Sequence, residues 1–246
     1  MSGPVDAQPE GKHDALAQAL PYIVPYAVYM ALTYAADYLP DMRAVLYVVK
    51  VLAVAGVLWH YRKSYTELRP RLRPALVPAA LIGVLVIVAW VGLDPYYPQS
   101  GDEWRAFVQQ GARVFEHPEK VAGQFSPYAE GQLLPALVTI IFRLIGAVLL
   151  VPIFEELLIR SWLIRFLVRD DIRRVPMGTF TWLSFGATAV LFGLSHHEWL
   201  AGVICGVAFN LLLYWRKDLF QCIVAHAAAN LALAVWVLTR EAWHFW

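Results

Sequence analysis

The side chains that could do chemistry in this chain are few and fall in its second half. Glu155-Glu156-Leu157-Leu158-Ile159-Arg160 follows the apolar run Ala147 to Phe154. Adjacent carboxylates on a helix project about 100° apart, so the two glutamates face different surfaces and have different jobs. Glu156 and Arg160 are four residues apart with the acid first, the favourable order for a same-face ion pair. Such a pair offsets two charges and fixes the helix rotation, which leaves Glu155 as a proton acceptor or as the partner of another cation. A second group closes an apolar stretch as Phe192-Gly193-Leu194-Ser195-His196-His197-Glu198, and a third reads His226-Ala227-Ala228-Ala229-Asn230. His226 and Asn230 share one helical face, with alanines between them that let a backbone or a substrate come close. One histidine in a membrane helix ordinarily bonds a neighbouring helix. A carboxylate pair, two histidine positions and an asparagine on three apolar stretches are explained together by one shared polar cavity.

The elements that must position these groups follow from composition. Of 246 residues, 59% are AVILMFWYC and 16% are charged, against about 25% charged in ordinary soluble domains. The mean hydropathy is +0.52, so the solvent of this chain is mostly lipid, and soluble, disordered, collagen-like and nucleic-acid-binding classes fall away. Twenty basic residues nearly cancel nineteen acidic ones, and the net charge of +1 says nothing of partners. Seven stretches are apolar enough to span: Pro21–Leu39, Ala44–Tyr61, Leu76–Leu93, Leu134–Leu158, Phe180–His196, Leu200–Trp215 and Leu219–Leu238. Lipid offers no partner for an open sheet edge, so the expected fold is all-α, a polytopic transmembrane bundle of about seven spans, or eight.

Lys and Arg orient it. With the N-terminus cytoplasmic, twelve basic residues lie in inner segments and five in outer ones, the expected positive-inside bias. The chain divides into a polar tail (1–19, without the apolar core of a cleaved signal), motif-free spans with an outer loop (20–132), and a membrane core (133–246). The long connection Asp94 to Gln132 carries Trp104, Phe107, Val108, Val114 and Phe115 among charges, which fits an amphipathic surface helix and equally an ordinary solvated loop. Cys205 and Cys222 lie in apolar runs and read as buried packing residues.

The three groups resemble the motifs EExxxR, FxxxH and HxxxN of the CPBP family (CAAX protease and bacteriocin-processing), glutamic intramembrane proteases that include the Ras-converting CAAX protease. They stand in the same order, as Glu155-Glu156-x-x-x-Arg160, Phe192-x-x-x-His196 and His226-x-x-x-Asn230. The resemblance covers about residues 134 to 240. In size and span number the chain is similar to the CAAX prenyl protease-related subgroup, some of whose members are associated with exosortase systems. The resemblance implies a hydrolase without metal or cofactor. By analogy Glu155 is the general base that activates a water, His196 helps hold that water, His226 and Asn230 donate to the oxyanion, and Glu156 with Arg160 organises the site. It further implies membrane lipid and a peptide or protein substrate as partners, an exosortase-type sorting system as a further one, and a bacterial inner membrane as location.

The physical demands match those residue types. A membrane cavity desolvates a carboxylate and makes it a better base, and side-chain donors on one rigid helical face suit a tetrahedral oxyanion. Three other readings stand beside it, one of them a proton- or solute-coupled transporter, against which the spans show no two-fold repeat and the polar residues fall in one half. Glu and His are also zinc or di-iron ligands, although no HExxH or paired ExxH spacing is present. A non-catalytic scaffold or immunity-type protein could retain the same pocket. One tension concerns depth: His196 falls at the outer end of the fifth span and Glu155 toward the inner end of the fourth. They meet only if helices are tilted, staggered or broken, for which Pro152, Gly186 and Gly193 offer places. His197 competes with His196, and Arg143 is expected to have a structural or lipid-interface partner.

Overall fold

The computed structural model describes residues 12–39, 42–68, 76–96 and 133–245. Its helices are α1 (Lys12–Tyr38), α2 (Arg43–His60), α3 (Leu76–Leu93), α4 (133–166), α5 (Trp182–Leu194), α6 (Trp199–Arg216) and α7 (Leu219–Arg240), and no strand occurs among the described residues. Six of these elements are long and apolar enough to cross a membrane. The protein is an integral, multi-pass, all-α membrane protein. Residues 12–19 of the expected polar tail already belong to α1, while the rest of that tail and the amphipathic helix expected after Asp94 fall outside the described residues.

Two spans differ from expectation in a way that removes the tension over depth. The fourth does not stop at Leu158 but stays helical to Phe166, so Glu155 sits eleven residues before its end, about 16 Å inside. The fifth is a helix of only 13 residues, about 20 Å long, against roughly 30 Å of hydrocarbon. His196 therefore lies in the turn that follows a short helix.

α4 is a composite. Ile145–Leu150 and Leu157–Leu163 are π-helical, and the α-helical turn Val151–Glu156 between them carries both glutamates. Pro152 explains the first widening. It has no N–H to donate, and its ring crowds the carbonyl one turn back, so the chain before it opens into i to i+5 bonding, with the Val151 N–H on the Gly146 carbonyl. A similar cause acts in α1. Pro25 cannot bond the Pro21 carbonyl, and the Tyr65 hydroxyl donates to that carbonyl at 2.7 Å.

Small residues bring the helices together. α5 and α6 form an antiparallel hairpin in which a Cβ added at Gly202 would lie 2.8 Å from the Gly193 Cα, and one at Gly206 would lie 2.9 Å from the Ala189 Cα. Thr181 caps α5 by accepting from the Ser184 N–H at 3.1 Å, and Asp218 caps α7 by accepting from the Phe220 N–H at 3.0 Å. α3 runs parallel to α7: Gly83 packs on the backbone of Ala225 and Ala229, and the Asp94 carboxylate beyond α3 meets His244 beyond α7 at 3.0 Å. Close backbone approach is how membrane helices gain packing when lipid is as apolar as leucine. Leu81, Leu85 and Val88 on α3 are exposed in consequence, facing the lipid solvent.

Gly83 tests this packing, because a Cβ there would stand 1.9 Å from the Ala225 carbonyl oxygen. Gly83→Val should cost at least about 1–3 kcal/mol, read as a lowered midpoint of unfolding in detergent. Gly186→Ala, with nothing within 4 Å of the added carbon, should leave the midpoint unchanged or raise it.

Candidate active site

Glu156 and Arg160 are fully buried and 3.2 Å apart. The Glu156 Oε1 also accepts from His226 on α7, with Nδ1 at 2.9 Å. If Glu156 is ionised, Nδ1 is the donor, and this leaves Nε2 of His226 pointing at the other glutamate, 3.9 Å from the Glu155 Oε2. The adjacent carboxylates thus divide as their helical angle requires. Glu156 commits its Oε1 to a cation and an imidazole and is fully buried, whereas Glu155 keeps 14% of its side chain exposed; among the described residues the Oε2 of each glutamate has no hydrogen bond.

Aromatic rings hold the buried guanidinium. The Arg160 Cζ lies 4.3 Å from the Phe192 ring and 5.5 Å from that of Phe209. Cation–π contact of this kind is strongest where the cation is desolvated. Arg160 also donates to the Gly206 carbonyl at 3.5 Å, an approach made possible by the small-residue seam of the hairpin. Phe192 contacts two histidines as well, its centroid 4.8 Å from His196 and 5.9 Å from His226. The aromatic residue of the FxxxH motif is therefore the hub between the three groups.

Asn230 is placed by a consequence of Pro152. The Val151 N–H bonds Gly146, and the next donor that could reach the Ala147 carbonyl in a π-turn would be residue 152, which has none. The orphaned Ala147 carbonyl instead accepts from the Asn230 Nδ2 at 2.7 Å. One N–H of that amide is spent on α4, and the other remains.

The structure therefore gathers Glu155, Glu156, Arg160 and His226 in one cluster and sets Asn230 beside it on the π-turn of α4. His196 stands across Phe192, its Nδ1 2.7 Å from the Phe192 carbonyl and its ring edge-on to Trp90 of α3 at 5.3 Å. No hydrogen bond among the described residues joins His196 to the carboxylates. Sequence reasoning missed Phe209, the Gly206 and Ala147 carbonyls, and Trp90. Of these only the Ala147 carbonyl had a signal, the proline five residues on. Arg143 lies over the Tyr47 ring at 5.2 Å, and both cysteines are buried and free.

The link between Pro152 and Asn230 is open to a double-mutant cycle. Asn230→Ala should cost about 1 kcal/mol by leaving a part-buried carbonyl unpaired. In a Pro152→Ala background, where a backbone N–H becomes available, most of that cost should vanish when unfolding is measured in mixed micelles.

Residues 137–232 match a family model described as Rce1-like, type II CAAX prenyl endopeptidase Rce1-like. No curated protein and no solved structure matches the chain. The matched stretch holds Glu155, Glu156, Arg160, His196, His226 and Asn230, and runs from α4 into α7. Over this stretch, about two fifths of the chain, the protein is similar to the Rce1-like, type II CAAX prenyl endopeptidases.

Proposed function

We propose that the protein is a glutamate-dependent, metal-independent intramembrane endopeptidase that hydrolyses a peptide bond of a membrane-associated, CAAX-type substrate. The observation that carries this reading is the division of labour between the paired carboxylates. Glu156, fully buried, is held by Arg160 and His226 through Oε1, and Glu155, partly exposed and in no ion pair with an arginine or lysine among the described residues, stands beside His226.

In this scheme a water lies between Glu155 and His196. Glu155 takes its proton as the oxygen attacks the scissile carbonyl carbon. The tetrahedral oxyanion receives hydrogen bonds from the second N–H of Asn230 and from the Nε2–H of His226, which in this step carries a proton on each ring nitrogen, with Nδ1–H kept on Glu156. Protonated Glu155 then gives its proton to the departing amine as the C–N bond breaks, which returns the carboxylate and leaves an acid and an amine. Pre-aimed donors of this kind are each worth roughly 2.7–4 kcal/mol in a water-poor site.

One feature supports chemistry without a metal: a guanidinium sits 3.2 Å from Glu156, where a second cation would be repelled. With Arg165 inside α4, eleven basic residues in inner segments against five in outer ones support a cytoplasmic N-terminus. A bacterial inner membrane and a sorting system of exosortase type complete the proposed setting.

The test is cleavage of a quenched farnesylated CAAX peptide by the purified protein in liposomes. Glu155→Gln should lower kcat by about 10²–10⁴-fold, the usual worth of a general base, with an unchanged unfolding midpoint; full activity in that variant would overturn the reading. Chelators should leave the rate unchanged, and a loss restored by added zinc would favour metal chemistry.

A further inference from the structure

A second buried polar network lies on the side of α4 away from the cluster. It is centred on Glu67, in the segment 61–68 that follows α2. The Glu67 Oε1 accepts from the Tyr22 hydroxyl at 3.0 Å, from the Arg165 Nη2 at 3.0 Å and from the Ser161 hydroxyl. Arg165 in turn donates from Nε to the Ser161 carbonyl at 2.5 Å, from Nη2 to the Ser161 Oγ at 2.6 Å and from Nη1 to the Ile172 carbonyl at 3.5 Å. Glu67 and Arg165 expose about a tenth of their side chains, and Ser161 none. The segment itself is pinned to α1 by Tyr65, whose hydroxyl burial pushes well above the ordinary phenol range, so it stays a donor to Pro21.

Ser161 is the chain neighbour of Arg160, and both lie in the π-helical stretch Leu157–Leu163. Arg160 points to α5 and α6, whereas Ser161 points to α1 and segment 61–68. A π-turn is a local excess of one residue, and its relaxation rotates the helix on one side against the other by up to about 100°. Within α4 that relaxation is opposed only by side-chain contacts, Arg160 on Glu156 and Arg165 on Ser161. Glu67 adds an external grip on both Ser161 and Arg165.

We propose that Glu67 is a positioning residue for the hydrolytic site: docked on Ser161 and Arg165, it holds the Leu157–Leu163 turn in the rotation that keeps Arg160 on Glu156. The kinetic part of this inference rests on the function proposed above; the geometric part stands without it. Glu67 and Tyr22 lie outside the stretch that matches the family, residues 137–232.

The experiment compares Glu67→Ala, Glu67→Gln and Ser161→Ala in the full chain, by hydrogen-exchange mass spectrometry in detergent and by cleavage of the farnesylated CAAX peptide. Loss of hydrogen bonds to a charged group should speed exchange at 157–163 by about tenfold or more in Glu67→Ala and Ser161→Ala, with α6 and α7 unchanged. Glu67→Gln, which keeps the acceptor oxygen, should restore most of the protection. Glu67→Ala should lower kcat by about ten- to a hundredfold, shift the pH profile of kcat, and change KM by less than about twofold.

Unchanged exchange at 157–163 overturns the proposal, as does acceleration spread evenly over the chain. A kcat that falls with the folded fraction while its pH profile stays fixed also overturns it. Should Glu67→Ala fail to fold, Ser161→Ala, which strands no charge, decides the matter by the same measures. If the wild type cleaves no peptide, the proposed function fails and the exchange data alone decide on Glu67.

Discussion

An ion pair with no solvent exposure on either side chain, Glu156 with Arg160, sets the terms for the rest of this molecule. Removing one partner of such a pair ordinarily costs about 3–5 kcal/mol, so each charge must be held by more than the other. His226 on α7 supplies the extra donor for the carboxylate. The faces of Phe192 and Phe209 and a main-chain carbonyl at Gly206 receive the guanidinium. Three helices are thereby drawn onto α4 at one level. Glu155, a residue earlier, is left out of the bargain and faces the remaining space.

Much of this was legible in the residues. The acid-first spacing of Glu156 and Arg160 implied their pairing, the hundred-degree step implied that Glu155 would look elsewhere, and scarcity of charge implied a membrane. The spans were legible too, because about twenty consecutive apolar residues admit few structures in lipid. What could not be read was any contact made by a group without distinctive chemistry. Phe209 and Gly206 sit in an apolar helix and look like packing. Their importance arises only from what lies opposite. The Glu67 network was hidden for another reason: Glu67 and Ser161 are 94 residues apart, and a glutamate just beyond a span end reads as solvated.

Span boundaries failed where hydropathy is a poor guide. Arg160 and Arg165 made the fourth span seem to end at Leu158, yet both are buried and partnered, so the helix continues through them. In the fifth, Ser195, His196 and His197 are polar enough to leave the helix while still lying beside Phe192 and Trp90. Pro152 was legible as a possible break but acts differently. It widens α4 without kinking it apart, and the carbonyl it orphans becomes the anchor for Asn230. Local rules thus located the irregularity, and the partner across the bundle decided what it became.

The backbone contact of Gly83 with Ala225 and Ala229 bears on how this core can be transplanted. The family-matched stretch ends at residue 232 and begins at 137, so α3 is no part of it, yet α3 covers the bare, alanine-lined face of the helix that delivers His226 and Asn230. Excised alone, the stretch would turn that face to lipid and lose the ring that backs His196. The motifs mark the reacting side chains; the unit that could be grafted, shortened or recombined is larger, and its real N-terminal border lies before Leu76.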